Sequence, residues 1–206
     1  MKPLDIERQS FEIIARELGG RKPDPEVDLV VRRVIHTTAD FDYFDNLVFS
    51  PHAVPALQAA IREGCPIVTD TNMAMAGINK RILARFGSQV HCFIGDEEVA
   101  REAKTRGLTR SWVSMEKAAQ TLGGCVFAIG NAPTALLAIS ELVRAGKLRP
   151  KMVIGVPVGF VNVVEAKEEI LSLDIPHIVA RGRKGGSNVA AAIVNAALYQ
   201  MVKREE

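Results

Sequence analysis

Histidine is the side chain best suited to exchanging a proton near neutrality, and this chain has four: His36, His52, His91 and His177. His91 and His177 fall inside apolar strand patterns, and His52 falls in the first turn of a helical one, so these three read as structural. His36 differs because it ends a helical pattern and is followed by Thr37, Thr38 and Asp40. The helix end and Asp40 favour its protonated form, while Arg32 and Arg33 favour the neutral one. That balance makes His36 a candidate acid/base, although a lone histidine is also a common structural residue.

A second group of residues suggests an anion site. Arg181-Gly182-Arg183-Lys184-Gly185-Gly186-Ser187 sets three cations and three glycines directly before a helix. Backbone N–H groups, the helix dipole and the side chains can then all face a phosphate or carboxylate. A basic surface loop with a glycine-rich turn has the same composition. Arg110, between Thr109 and Ser111, begins a helix where its charge opposes the dipole, and this also hints at an anionic ligand. In Gly130-Asn131-Ala132-Pro133-Thr134, Asn131 is a candidate cap and Pro133 fits the first turn, so capping and ligand binding compete for the same N–H groups. Gly155-Val156-Pro157-Val158-Gly159-Phe160 suggests backbone packed close against something flat or large, or simply a tight turn.

Positioning these groups falls to a regular alternation of elements. Short apolar runs at 47–49, 66–69, 90–94, 125–129, 152–156 and 175–179 read as strands. Helical patterns cover 5–18, 24–36, 51–62, 97–104, 109–122, 133–144, 161–171 and 187–203, with Ser50 the expected cap of the third and the small-residue stretch 72–78 following the second strand. The expected fold is α/β, a mostly parallel sheet with helices on both faces, in one domain spanning 1–206. In such a fold ligands gather at the carboxyl ends of the strands, where the unusual junctions lie.

The composition limits the partners. With 48% hydrophobic and 24% charged residues, the 206-residue chain has enough apolar matter for a full core. A net charge of +2 offers no global attraction for nucleic acid or an anionic membrane, and no apolar run reaches the length of a membrane span. Cys65, Cys92 and Cys125 are odd in number and scattered, and are expected to be reduced core thiols in a cytoplasmic protein, with no metal site. The chain has no P-loop, no G-x-G-x-x-G opening a first βαβ unit, no G-x-S-x-G and no H-E-x-x-H, which weakens nucleotide, hydrolase and metalloenzyme readings.

Several of these stretches carry a resemblance. Arg33-Val34-Ile35-His36-Thr37-Thr38-Ala39-Asp40-Phe41, Thr69-Asp70-Thr71-Asn72-Met73-Ala74, Gly77-Ile78-Asn79-Lys80, Thr109-Arg110-Ser111, and the segments 129–136, 155–161 and 182–191 resemble, in order, the precorrin-8X / cobalt-precorrin-8 methylmutase family of corrin-ring biosynthesis. The first and last look most like its cobalt-dependent, anaerobic branch. Val161-Asn162-Val163-Val164-Glu165-Ala166-Lys167 departs from the G-A-A-E-S-K form of many members but keeps Glu165 and Lys167.

The resemblance implies an isomerase that moves a methyl group from C11 to C12, turning cobalt-precorrin-8 into cobyrinic acid or precorrin-8X into hydrogenobyrinic acid. His36 would protonate ring C and recover the proton. Around the tetrapyrrole it places Ser10, Thr37 and Arg110, then Asn131, Ala132, Pro133 and Thr134. Pro157, Val158, Gly159 and Phe160 form a further wall, as do Arg183, Lys184, Gly185 and Ser187. It further implies a homodimer, no cofactor beyond cobalt carried by the substrate, and no nucleic-acid or membrane partner. The alternative is a protein that binds or hands on a corrinoid without turnover.

Overall fold

The computed structural model describes residues 3–202. All six apolar runs become strands of one sheet, ordered β1 (Leu47–Phe49), β6 (His177–Ala180), β5 (Met152–Gly155), β4 (Val126–Ile129), β2 (Ile67–Thr69) and β3 (Val90–His91). Strands β2 to β6 are parallel, and β1 runs antiparallel against β6, with Val48 opposite Val179. Residues 90–94 give a shorter strand than expected, because the chain turns at Phe93, whose carbonyl accepts the Asp96 N–H.

Side chains alternate between the two faces, so each strand feeds two cores. On one face Ile67, Val126, Ala128, Met152, Ile154, Ile178 and Ala180 pack with residues of α1 (Pro3–Glu17), α2 (Asp28–Thr38), α4 (Ala53–Arg62) and α11 (Ser187–Met201). On the other, Val68, Phe127, Ile129, Val153 and Val179 pack with α8 (Arg110–Leu122), α9 (Pro133–Arg144) and α10 (Val163–Leu171). Both layers follow from central strands, β4 (Val126–Ile129) and β5 (Met152–Gly155), that carry no polar side chain to turn outward. The alanines of α11 serve close packing within the chain: an added Cβ at Gly77, the last residue of α5 (Asn72–Gly77), would lie 2.8 Å from the Ala191 Cβ.

Helix starts differ from the sequence reading for local reasons. Asp24 accepts the Glu26 N–H on its side chain and the Val27 and Asp28 N–H groups on its carbonyl, a separate turn that delays α2 to Asp28. The Ser50 hydroxyl accepts the His177 N–H instead of capping α4, which begins at Ala53 after a left-handed His52. α10 likewise waits for Val163, after a left-handed Asn162. Two short helices, α3 (Tyr43–Asn46) and α6 (Lys80–Ala84), were not expected; each is too short to show a hydrophobic period. α7 (Glu97–Arg106) has acids in its first turn, bases in its last and a left-handed Gly107 closing it. The expected end of the last helix, Lys203, lies outside the described residues, none of whose helices is long and apolar enough to cross a membrane.

Candidate functional site

His36 lies in the last turn of α2, which ends at a left-handed Ala39 whose N–H donates to the Ile35 carbonyl. The imidazole is exposed and opens onto a cavity of about 390 Å³ lined by Ser10, Ile13, Ile14, Glu17, Ile35, His36, Ala39 and Phe41. Ser10, Ile13, Ile14 and Glu17 recur at helical spacing, so one face of α1 forms a wall. The Phe11 ring meets His36 edge-on at 5.5 Å. Arg33 fastens α1: it pairs with Glu7 at 2.5 Å, 5.0 Å over the Phe11 ring and 5.1 Å from Tyr199. The charges expected to act on His36 are committed elsewhere, Arg32 to Asp28, Arg33 to Glu7 and Asp40 to Lys184.

At the carboxyl edge of the parallel strands, polar and glycine residues join the expected loops. Asp70, directly after β2 and 1% exposed, accepts the N–H groups of Gly130, Asn131 and Ala132 at 2.9, 2.8 and 2.6 Å. Burial pushes its carboxyl up, and the three N–H groups act in the opposite direction. Thr71 caps α5 and its hydroxyl meets that of Ser187 at 2.8 Å. Thr109 caps α8 and donates its hydroxyl to Thr134, which brings Arg110 next to the 130–134 loop.

Three further contacts fix the glycine walls. A Cβ at Gly130 would stand 2.6 Å from the Ser187 Cα. Gly186 donates its N–H to the Val156 carbonyl, and Gly159 donates to the Arg183 carbonyl. Lys184 pairs with Asp40 and Asp42, both at 2.6 Å, and so connects this edge with the chain that rims the His36 cavity.

Some expectations need correcting. Asn131 does not cap α9: Ala132 holds that position, and Asp70 takes the N–H groups a ligand would have used. The three cations of the 181–187 loop are not all free to face one anionic ligand, because Arg181 pairs with Glu168 and Lys184 with two aspartates. Arg110 and Arg183 have no carboxylate partner among the described residues; the Arg183 guanidinium lies 5.6 Å from the Phe160 ring centre. Phe160, Val161 and Val158 are 83%, 78% and 49% exposed, whereas Pro157 and Ala132 are buried. Ser10 is in the cavity wall, and Thr37 is exposed beside His36 but outside that lining.

The other histidines are held locally. His52 pairs with Glu26, His91 stacks on Phe93, and the His177 ring bonds the Ile175 carbonyl. Of the cysteines only Cys125 is core, its thiol pushed up to about 12 by burial, while Cys65 and Cys92 are half-buried. Glu17 and Phe11 carry parts of the site that sequence reasoning did not single out, and Asp70, Phe41 and Lys167 appeared there only within family-like stretches, with no role of their own. A carboxylate ending an apolar strand, and a lysine on the apolar stripe of α10, were the available signals.

The family model CbiC, precorrin-8X methylmutase, matches residues 5–200. The chain is 47% identical over 206 residues to the cobalt-precorrin-8 methylmutase of Salmonella typhimurium, covering 97% of this chain and 96% of that protein. It is 39% identical over 193 residues to the precorrin-8X methylmutase of Pseudomonas aeruginosa, covering 93% and 92%. A crystal structure of precorrin-8X methyl mutase from Thermus thermophilus superposes with a TM-score of 0.84 at 40% identity, covering 94% of this chain and 95% of that one.

Proposed function

The chain belongs to the precorrin-8X methylmutase family, and on that basis we propose that its methyl shift is carried out at His36. The protein is an isomerase that moves a methyl group within cobalt-precorrin-8 or precorrin-8X to give cobyrinic or hydrogenobyrinic acid. Substrate and product have the same atoms, so the reaction consumes no group and no electrons. What it asks of the protein is a proton lent and returned, and a macrocycle held in one orientation. In the proposed sequence His36 protonates ring C, the methyl group migrates from C11 to C12, and the proton then lost from the ring restores the imidazolium.

The observation that carries this reading is the exposed imidazole of His36 at the mouth of a cavity with mostly apolar walls. Its volume of about 390 Å³ suits one edge of a corrin better than the whole ring with its acidic arms. The rest of the ring lies toward the exposed Val158 and Phe160, with Arg110 and Arg183 meeting carboxylates. Apolar side chains this exposed also support a second copy closing the open side, so the assembly proposed is a homodimer. Three free thiols suit a reducing cytoplasm.

Identities of 44–47% to three cobalt-precorrin-8 methylmutases, against 37–39% to two precorrin-8X enzymes, favour the cobalt-loaded substrate, while three further cobalt-precorrin-8 methylmutases at 38–40% overlap with the metal-free group. Anaerobic rates with cobalt-precorrin-8 and with metal-free precorrin-8X test this directly. Faster turnover of the cobalt form is expected, and faster turnover of the metal-free form would reverse the assignment.

A further inference from the structure

We infer that Lys167 is a positioning residue: its buried ammonium group holds the 182–184 backbone so that Arg183 stands at the mouth of the site, ready for a substrate carboxylate. The inference rests on the functional reading above and adds a residue that touches no substrate. Lys167 sits on the inward stripe of α10 with Val163, Ala166 and Ile170, all 0% exposed. A lysine there is costly, because its charge leaves water, and methionine would fill nearly the same space without that cost. The ammonium has no carboxylate partner among the described residues, and its burial lowers its pKa to about 8. Instead, Nζ donates to the Gly182 carbonyl at 2.7 Å and the Lys184 carbonyl at 2.8 Å.

The carbonyl between them is held too, since Arg183 accepts the Gly159 N–H at 3.1 Å. Three successive carbonyls of one loop are therefore bound by the protein. Gly185 leaves no space for the loop to sink further, because a Cβ there would lie 2.1 Å from the Val156 oxygen. With its backbone fixed, Arg183 extends outward over the exposed Phe160 ring. Lys184 leans the other way, to Asp40 and Asp42. A cation held in place before the ligand arrives loses less freedom on binding than one on a loose loop. On this account Lys167 sets the affinity for an acidic ring through Arg183, and leaves the proton transfer at His36 alone.

The test is a double-mutant cycle read by affinity for cobyrinic acid, with melting temperature recorded for every variant. Lys167→Met and Arg183→Ala are each expected to weaken binding about three- to tenfold, and the double variant to bind no more weakly than Arg183→Ala alone. In turnover the Lys167→Met defect should fall on KM and not on kcat. Should Lys167→Met fail to fold, Lys167→Gln, which keeps amide donors on a shorter arm, takes its place in the cycle with a smaller loss. Losses that simply add, or a Lys167 variant that binds like the parent while Arg183→Ala binds weakly, would overturn the inference alone. Arg183→Ala with parental affinity would remove that cation from the site and overturn the inference with it. A parent that fails to bind cobyrinic acid would instead fail the functional reading on which the inference rests.

Discussion

Replacing Gly185 with alanine adds one methyl group where the surrounding backbone leaves no room. Its Cβ would lie 2.1 Å from the Val156 oxygen and 2.7 Å from the Pro157 oxygen, where ordinary contact begins at 3.4 Å. The 182–187 loop and the β5–α10 turn must then part by roughly 1 Å, an overpacking cost of about 1–3 kcal/mol. Parting also breaks the 2.9 Å bond from the Gly186 N–H to the Val156 carbonyl, worth about 1 kcal/mol. The sum, about 2–4 kcal/mol, corresponds to a melting temperature lowered by about 5–15 °C in a chain of this size.

Gly182 serves as the control. Its left-handed φ of +78° makes alanine strained, at about 1–2 kcal/mol, but nothing lies within 4 Å of the added carbon, so the walls stay in place. Urea unfolding with an unchanged m value would measure the two costs, and titration with cobyrinic acid would measure the walls. Gly185→Ala should lose both stability and affinity, Gly182→Ala a little stability only. A Gly185→Ala protein that melts with the parent would refute the packing argument. One that melts early yet binds normally would show that this loop does not shape the ligand site.

Arg110→Ala removes an exposed cation from a helix start, where it opposes the dipole, so stability should hold or rise by about 0.3–1 kcal/mol. Affinity for the acidic product should fall, most at low salt; an affinity equal to the parent's in a urea-tested, folded variant would take Arg110 out of the site. For Lys167 the folded pKa, about 8, lies below the ordinary lysine value of 10.5. Between these limits the unfolded chain holds the extra proton, so this group makes stability rise with pH across that window, by up to about 3 kcal/mol. Relative to Lys167→Met the parent should gain stability from pH 8 to 10.5, and parallel pH curves would show that Lys167 is not desolvated as described.

The six strands were legible because each is a short apolar run closed by turn residues, as in Val126 to Ile129 followed by Gly130 and Asn131. The order of strands and the antiparallel direction of β1 were not legible, since they depend on pairings such as Val48 with Val179, 131 residues apart in sequence. The same division holds for the site. His36 stands out by its polar neighbours, but Ser10 and Glu17 join its cavity only once α1 folds back on α2. Asp70 lay in a stretch that carries the family resemblance, yet its three N–H partners come from another loop. Lys184 looked like a free cation in sequence because Asp40 and Asp42 reach it only across the fold.

The role of His36 is tested most directly by incubating the parent and His36→Ala anaerobically with cobalt-precorrin-8 while titrating both with cobyrinic acid. The side chain is exposed at a helix end, so its loss should leave the fold and the binding walls intact. The expected result is conversion by the parent, conversion lowered at least about 100-fold in the variant, and comparable binding of cobyrinic acid by both. Equal conversion by the two proteins would contradict His36 as the proton donor.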